Sequence, residues 1–293
     1  MKIAITGGTG FIGRHFIRRF EKNNEIYSLV RGQAIHNHEI SIDLSNKEQV
    51  FEAINEIQPE LVVHLAGIAS ATYTDISKIY STNIGITENL LEALYDTRLG
   101  SKFLFFSTAG VYGCNNGLSI PETADLNPCS HYAISKAGAE FLTLQYSRFF
   151  PCSIIRPFNV IGLGQNPSFI IPKLVNAFKK RESIIELGDI SCVRDFVPIT
   201  TLLNLVESLM RDPEPKVTVN ACTGTGMSVE EVIQLLIART NHKPTLLTKN
   251  NYLRKFDIPR LVGDPTKMNH ILSEHGYYNI ESAKECILNL LQE

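Results

Sequence analysis

The stretch Lys2-Ile3-Ala4-Ile5-Thr6-Gly7-Gly8-Thr9-Gly10-Phe11-Ile12-Gly13 organises the rest of the chain. Its apolar start predicts a short strand, its glycines a tight turn, and its last residues the opening of a helix. Gly7, Gly10 and Gly13 have the spacing G-x-x-G-x-x-G, which suits a turn, a close approach of backbone to a pyrophosphate, and packing of helix on strand. A glycine-bearing surface turn would explain the triplet alone. The strand before it and the helix after it favour dinucleotide binding at the helix N-terminus.

Further strands and helices alternate along the next part of the chain. The apolar runs predict strands over 25–30, 40–42, 61–65, 103–106 and 152–155, and helical spacing predicts helices over 47–57, 76–95 and 132–149. This alternation is typical of a parallel sheet covered on both faces. We therefore expect an α/β protein with a Rossmann-type, doubly wound parallel sheet.

The second part of the chain has looser alternation after Gly162. It predicts a smaller α/β C-terminal substrate lobe that is interleaved with the first domain. We expect a dinucleotide-binding domain over residues 1–162 plus about 196–221, and a substrate-binding lobe over about 163–195 and 222–293. The aperiodic loop 109–130 is long enough to form a wall of the site.

The bulk composition excludes several classes of partner. The 293 residues carry a formal net charge of −2, which gives no electrostatic footprint for nucleic acid or an anionic membrane. We find no leader pattern and no apolar run of about eighteen residues, so we expect a cytoplasmic protein that does not span a membrane. The six cysteines form no C-x-x-C pair, which predicts reduced structural residues and no metal site.

Three residues could carry chemistry. Tyr132 and Lys136 are four apart in a predicted helix, so both side chains lie on one face. An ammonium beside a phenol favours the phenolate and would lower the tyrosine pKa towards the working range of an acid/base catalyst. Thr108 ends a predicted strand, where open α/β sheets bind ligands. An exposed helix pair and a threonine that satisfies turn backbone remain the alternatives when each segment is taken alone.

A series of motifs in register resembles the extended short-chain dehydrogenase/reductases that act on nucleotide sugars. The motifs are Thr6-Gly-Gly-Thr-Gly-Phe-Ile-Gly13, Asp43-Leu44, His64-Leu-Ala-Gly67, Asn83, Ser107-Thr108, Tyr132-x-x-x-Lys136 and Arg156-Pro-Phe-Asn159. The likeness runs essentially from end to end.

The resemblance implies a role for each matching residue. Tyr132 would be the acid/base, Lys136 would bind the nicotinamide ribose, and Thr108 would hydrogen-bond the reacting sugar oxygen. The implied cofactor-binding residues are Gly7, Gly10, Phe11, Ile12, Gly13, Arg31, Asp43, Leu44, Leu65, Ala66, Gly67, Asn83, Tyr132, Lys136 and Pro157. The implied substrate-binding residues are Thr108, Asn159, Ser168, Lys173, Arg194 and Arg254, with the arginines suited to a diphosphate.

The end of the second predicted strand bears on cofactor choice. NAD-preferring proteins of this type place an acidic residue there for the ribose 2′-hydroxyl, whereas a 2′-phosphate needs a cation. This chain has Arg31 and no acid beside it. We therefore expect NADP(H) to be favoured over NAD(H). An arginine that only packs on the adenine is the alternative.

The residues around Thr108, Tyr132 and Lys136 reduce the number of reactions that the resemblance allows. Family dehydratases carry acidic residues directly after the catalytic threonine, and this chain has Ala109 and Gly110. The segments 156–170 and 188–196 look most like GDP-4-keto-6-deoxymannose reductases. The resemblance thus implies an NADPH-dependent reductase of a GDP- or dTDP-linked 4-keto-6-deoxy sugar, working as a homodimer in deoxysugar synthesis for surface polysaccharide. A nucleotide-sugar 4-epimerase with tightly bound NAD and a non-catalytic dinucleotide-sensing protein are the alternatives.

Overall fold

The computed structural model describes residues 1–36, 38–69, 73–114, 119–212, 214–249 and 258–292. Its strands are β1 (Lys2–Thr6), β2 (Glu25–Val30), β3 (Glu39–Ser41), β4 (Leu61–His64), β5 (Lys102–Phe106), β6 (Cys152–Pro157), β7 (Asn159–Ile161), β8 (Ile184–Leu187), β9 (Val193–Pro198), β10 (Thr218–Ala221), β11 (Gly226–Ser228), β12 (Thr245–Thr248) and β13 (Arg260–Leu261). Its helices are α1 (Phe11–Phe20), α2 (Lys47–Ile57), α3 (Ile76–Asn83), α4 (Gly85–Thr97), α5 (His131–Tyr146), α6 (Ile170–Lys179), α7 (Ile199–Arg211), α8 (Val229–Thr240), α9 (Thr266–Glu274) and α10 (Ala283–Leu290). No helix within these ranges is both long enough and apolar enough to cross a membrane.

The largest sheet has seven strands in the order β10-β6-β5-β4-β1-β2-β3. Strand β1 pairs in parallel with both β2 and β4, and β4-β5 and β5-β6 are parallel as well. All four residues of β4 are buried, as expected of a strand that is covered on both faces. These observations confirm the predicted Rossmann-type, doubly wound fold. The carboxyl ends of β1, β4 and β5 lie side by side, which brings the loops after them together.

Local sequence accounts for where the helices begin. The Asn46 side chain accepts a hydrogen bond from the backbone N–H of Gln49 at the start of α2. The Ser130 hydroxyl caps α5 in the same way by accepting from the Ala133 N–H, at 3.2 Å. Such caps satisfy backbone donors that a helix leaves open at its N-terminus.

The predicted helix over 76–95 is divided in the structure into α3 and α4, with Ile84 between them. The Thr87 hydroxyl donates to the Asn83 carbonyl oxygen four residues earlier, at 2.8 Å. A side-chain bond to the preceding turn can bend a helix, and the hydrophobic spacing does not reveal the division at Ile84.

The chain divides into two compact units. Unit 1 consists of Met1–Val111, Pro128–Arg156 and Val206–Val219, and unit 2 of Tyr112–Asn127, Pro157–Leu205 and Asn220–Glu293. Unit 1 has a core formed by the sheet and by α2, α4 and α5, with Val50, Ile54, Leu90 and Phe103 among its buried residues.

Unit 2 has a core and small sheets of its own. Its core is formed by α6, α8 and α10 together with β8 and β9. Strands β11, β9 and β13 form a sheet to which β7 is added by pairing with β9, and β12 pairs with β8. The lobe is therefore an α/β structure, as the sequence predicts.

Candidate active site

The glycine turn is closed so tightly that side chains do not fit at two of its positions. A Cβ at Gly13 would lie 2.3 Å from the carbonyl oxygen of Gly7, and one at Gly7 would lie 2.8 Å from the backbone nitrogen of Ala66. Gly7 also has a φ of +72°, in the left-handed region that favours glycine. The turn is held by a hydrogen bond from the Gly10 N–H to the Gly7 carbonyl oxygen, at 3.0 Å. Helix α1 therefore begins directly against the ends of β1 and β4.

The residues of this region fit a dinucleotide. Gly10, at the N-cap of α1, brings no side chain to satisfy the first N–H groups of the helix. These donors and the helix dipole suit a pyrophosphate, and the absence of Cβ atoms lets it approach the backbone. The Ser107 hydroxyl, at the end of β5, is buried with no hydrogen-bond partner among the described residues. A buried polar atom of this kind is costly unless a ligand or water satisfies it.

A buried hydrogen-bonded chain connects β1 with α4. The Ala66 N–H donates to the Thr6 hydroxyl oxygen at 3.1 Å, and Thr6 Oγ1 lies 2.7 Å from His64 Nδ1. On the other side of the ring, His64 Nε2 lies 3.0 Å from Thr87 Oγ1. Because the single Thr87 proton goes to the Asn83 carbonyl oxygen, Thr87 accepts from His64 and the ring carries its proton on Nε2.

This arrangement keeps His64 neutral. The ring is fully buried, and burial, together with the charge of Lys136, holds the pKa of His64 well below its usual range. A second proton on Nδ1 would also break the bond donated by Thr6.

Asn83 connects the turn after β4 with the helix that carries Tyr132. Its side-chain oxygen accepts from the Ile68 N–H at 2.7 Å, and its amide donates to the Ser135 hydroxyl at 2.9 Å. Ser135 in turn donates to the carbonyl oxygen of Tyr132, at 2.7 Å. The structure thus brings Leu65, Ala66, Gly67, Asn83 and the start of α5 into one part of unit 1.

The structure also brings Thr108, Tyr132 and Lys136 together. The Thr108 hydroxyl oxygen accepts from the Gly110 N–H at 3.1 Å, and its hydroxyl hydrogen-bonds the phenol of Tyr132. Both interpretations of Thr108 therefore apply, since it satisfies the turn and also contacts the candidate acid/base. Lys136 is buried, with its Nζ 4.4 Å from the centroid of the Phe105 ring. This distance allows a cation–π contact that favours the charged form.

The electrostatics of this trio differ from the sequence-based expectation. Burial raises the pKa of Tyr132 to about 12, although the bond from Thr108 acts in the opposite direction. Burial also lowers the pKa of Lys136 to about 7, against the attraction of Glu140. The expected lowering of the Tyr132 pKa by Lys136 is therefore not found in this structure. The physical reason is that desolvation opposes the charged form of both groups.

The residues expected at the adenosine end lie after β2 and β3. Arg31 is exposed, and its charge contributes to holding the pKa of Asp43 below its usual range, after the two hydrogen bonds from Ser45. The Asp43 carboxylate accepts from the Ser45 N–H at 3.0 Å and from its hydroxyl at 2.7 Å. Leu44 packs on the core of unit 1 while its carbonyl oxygen accepts from Asn89. Asp43 is thus occupied in shaping a turn.

Apart from Thr108, the expected substrate-binding residues that the structure describes lie in unit 2. Pro157, which was expected to bind the cofactor, lies in unit 2 as well. Asn159 lies on β7 opposite Phe196, and Ser168 is exposed just before α6. Lys173 donates from its ammonium to the Glu186 carbonyl oxygen at 2.5 Å, which ties α6 to β8. Arg194 is partly exposed on β9 and donates to the carbonyl oxygen of Val193. Arg254 lies outside the described residues.

No role was predicted from the sequence for three buried charged residues. Glu140 and Arg156 form an ion pair in unit 1, and Asp195 of unit 2 is fully buried. The Asp195 carboxylate accepts from the Thr223 N–H and hydroxyl and from the Gly224 N–H. Glu140 could have been found, because it follows Lys136 by four residues on the same helix face. A charged residue in the otherwise apolar strand β6 is the corresponding signal for Arg156.

His64 makes stability depend on pH. The folded protein keeps the ring neutral, whereas the unfolded chain binds a proton near pH 6.5, so this contribution to stability is complete above pH 6.5 and is lost as pH falls below it. We expect the free energy of unfolding to fall by up to about 1.4 kcal/mol per pH unit below that point through this residue. We expect His64→Asn to remove this part of the pH dependence, as measured by the free energy of urea unfolding between pH 5 and 8. The exposed histidine variant His270→Asn is the control, and identical slopes for wild type and His64→Asn would contradict the assignment.

Comparisons with known proteins show which family this chain resembles and which enzymes are similar to it. The profile of the NAD dependent epimerase/dehydratase family matches residues 3–222. The GDP-6-deoxy-D-talose 4-dehydrogenase of Aggregatibacter actinomycetemcomitans is 35% identical over 93% of this chain and 91% of its own length. The GDP-6-deoxy-D-mannose reductase of Pseudomonas aeruginosa is 29% identical over 98% of this chain and 96% of its own length.

A solved structure gives the same result for the fold. RMD from Pseudomonas aeruginosa, complexed with NADPH, superposes with a TM-score of 0.85 at 26% sequence identity, covering 99% of this chain and 97% of that chain. The family match covers most of this chain and includes the glycine turn, Thr108, Tyr132 and Lys136. The chain belongs to the NAD dependent epimerase/dehydratase family and is an enzyme of the extended short-chain dehydrogenase/reductase type.

Proposed function

We propose that this protein is an NADPH-dependent reductase of a nucleotide-activated 4-keto-6-deoxy sugar, with a GDP-linked sugar as the first candidate. The observation that carries the proposal is the trio Thr108, Tyr132 and Lys136, in which Thr108 hydrogen-bonds the phenol of Tyr132 and the Lys136 side chain is buried. The two relatives above support the substrate class, because one is named a GDP-6-deoxy sugar reductase and the other a 4-dehydrogenase of such a sugar. A 4-dehydrogenase catalyses the reverse of a 4-keto reduction.

Each residue of the trio would have a separate role at the reacting carbonyl group. The reduced nicotinamide, when bound, supplies the hydride that adds to the carbon. The Tyr132 hydroxyl would give its proton to the carbonyl oxygen, so that the ketone becomes an alcohol. A pKa of about 12 keeps Tyr132 protonated and ready to donate at neutral pH. The Thr108 hydroxyl would orient the same oxygen, and a charged Lys136 would stabilise the phenolate that remains.

The surroundings of Thr108 favour this chemistry over dehydration. The next residues, Ala109 and Gly110, form a short 3₁₀ turn and carry no carboxylate. Removal of water from a sugar needs an acid and a base placed around the carbon chain. Reduction needs only the proton donor that Tyr132 provides.

The sugar nucleotide would be held by residues of unit 2. We assign this role to Asn159, Ser168, Lys173, Arg194 and Arg254, as the resemblance implies. The partly exposed guanidinium of Arg194 can contact a diphosphate in a bidentate manner. A deoxysugar for surface polysaccharide is the product class that we propose.

The proposed function can be tested with a panel of GDP-, dTDP-, UDP- and CDP-linked 4-keto-6-deoxy sugars, by following NADPH absorbance. We expect stoichiometric NADPH oxidation with a GDP-linked member. We expect Tyr132→Phe to lower turnover by at least about 100-fold, because the proton donor is lost, while NADPH affinity stays within about twofold. Tyr278→Phe, which alters an exposed tyrosine, is the control. Full turnover by Tyr132→Phe, or interconversion of epimers without NADPH consumption, would refute the proposal.

The exposed Arg31 carries the proposed preference for NADPH. A charge-assisted contact to the 2′-phosphate is worth about 1.5–3 kcal/mol, which corresponds to roughly 10- to 100-fold in affinity. We expect Arg31→Glu to weaken NADPH binding by this factor and to improve NADH binding, as measured by fluorescence titration. Arg239→Glu, another exposed arginine, is the control. Unchanged affinity for both cofactors would mean that Arg31 does not recognise the phosphate.

We propose further that the protein is a homodimer through α4 and α5. Helix α5 exposes Ile134, Phe141 and Leu144, and Phe149 follows it. Tyr95 of α4 makes an edge-to-face contact with Phe149, with the ring centroids 4.7 Å apart. A contiguous apolar face of this kind marks an interaction surface.

A charge in the middle of this face should separate the dimer. We expect Phe141→Glu, which alters a side chain that is 65% exposed, to halve the molar mass measured by light scattering. Phe51→Glu, on α2 and 39% exposed, is the matched control. A wild-type monomer, or a Phe141→Glu dimer of unchanged affinity, would rule out this interface.

A further inference from the structure

One turn beyond Lys136 on α5 lies a buried ion pair that the proposed mechanism does not use. Arg156 Nε donates to both carboxylate oxygens of Glu140, at 3.0 and 3.2 Å, and its Nη2 donates to Oε2 at 2.7 Å. The side chains are 7% and 1% exposed. A pair held at this many points in a desolvated place has a fixed orientation and a strong local field.

The pair lies next to the candidate catalytic lysine. Glu140 follows Lys136 by four residues, so both side chains lie on the inner face of α5. Phe105 of β5 presents its ring to the ammonium, and Arg156 lies on β6, the next strand of the sheet. Lys136 therefore has an aromatic ring on one side and a carboxylate one helical turn away.

Titratable groups near the ammonium come from three elements in the described part of the chain. Helix α5 contributes Tyr132 and Glu140, β4 contributes His64, and β6 carries Arg156, which is bonded to Glu140. Of these, Tyr132 and His64 are neutral, since burial opposes charge on each and the pKa of each is shifted accordingly. On α4, Glu88 is turned to the Tyr146 hydroxyl, which donates to it at 3.2 Å. Glu140 is thus the carboxylate that acts on Lys136 in the described part of the chain.

Fold stability alone gives little reason for a buried ion pair at this place. Replacing such a pair by apolar residues of similar volume is often neutral or stabilising. The pair also produces an electric field at the Lys136 ammonium, and this field gives a reason for its position. The anionic end of the pair is the end on the helix of Lys136, so the pair as a whole favours the protonated lysine.

We propose that Glu140 is a positioning residue that favours the charged form of Lys136 in its desolvated place, and that Arg156 holds the Glu140 carboxylate in the orientation this requires. The catalytic consequence rests on the proposed function, in which a charged Lys136 stabilises the Tyr132 phenolate. The electrostatic claim itself concerns only the protein and can be measured without substrate.

The direct test is the titration of Lys136, followed through the 13Cε resonance of labelled lysine and assigned by its loss in Lys136→Met. Wild type should titrate near pH 7. We expect Glu140→Gln to lower the midpoint by about one pH unit or more, because the carboxylate is lost and no longer offsets the positive charge of Arg156. The double variant Glu140→Gln/Arg156→Met avoids a lone buried charge and should fold even where the single variant does not. Its midpoint should lie between those of wild type and Glu140→Gln.

A matched control is Glu207→Gln, which breaks the partly buried Arg19–Glu207 pair of the same unit, 2.7 Å long. It should leave the Lys136 midpoint unchanged. A midpoint that does not move in the folded double variant would overturn the proposal.

Turnover gives a second measurement with a distinct outcome. Because activity needs the charged lysine, the alkaline limb of the pH profile should move down by the same amount as the midpoint. A shifted titration with an unshifted turnover profile would overturn the catalytic role of Glu140. Absence of turnover in wild type would count against the proposed function alone, since the titration still reports on the pair.

Discussion

The absence of a Cβ at Gly7 and Gly13 is the constraint on which the rest of unit 1 depends. Because nothing larger than hydrogen fits there, α1 starts against the carboxyl ends of β1 and β4, and the turn after β4 is placed by direct backbone contact. That turn contains Ala66, which donates to Thr6, and Ile68, which donates to Asn83. The turn after β4, which the glycines place, is thus hydrogen-bonded through Asn83 and Ser135 to the helix that carries Tyr132. The glycine turn and the helix that carries Tyr132 are therefore connected by continuous contacts within unit 1.

Desolvation sets the chemistry inside that arrangement. Burial opposes charge on Tyr132, Lys136 and His64 alike, so each group is held in its neutral form more strongly than in water. The hydrogen bond from Thr108 acts against this at Tyr132, and the Phe105 ring and the Glu140 carboxylate act against it at Lys136. The site therefore has a protonated phenol, a neutral histidine and a lysine poised between its two forms. Such poised groups are common where proton transfer takes place.

The fold was predictable from the sequence because it leaves local signals, and signals of the same kind pointed to Thr108, Tyr132 and Lys136 as a candidate catalytic trio. Alternating apolar runs and glycine spacing are readable from a single chain, and so is a four-residue separation of Tyr132 and Lys136. The pKa direction of Tyr132 was not predictable, because helix spacing says nothing about solvent exclusion. The hydrophobic spacing does not show the division of α3 from α4 at Ile84, and the Glu140–Arg156 pair joins helix α5 to strand β6. Interactions across the chain of this kind leave only weak traces in sequence.

The central claim is that a hydride from NADPH is added to C4 of a nucleotide-linked keto sugar while Tyr132 supplies the proton. It can be tested by incubating the protein with a GDP-linked 4-keto-6-deoxy sugar and NADPH deuterated at either face of C4 of the nicotinamide, and locating the label by NMR of the sugar product. The account predicts one deuterium at C4 of the sugar from one face only. Deuterium at another carbon, or a product without label and with the cofactor unconsumed, would contradict it.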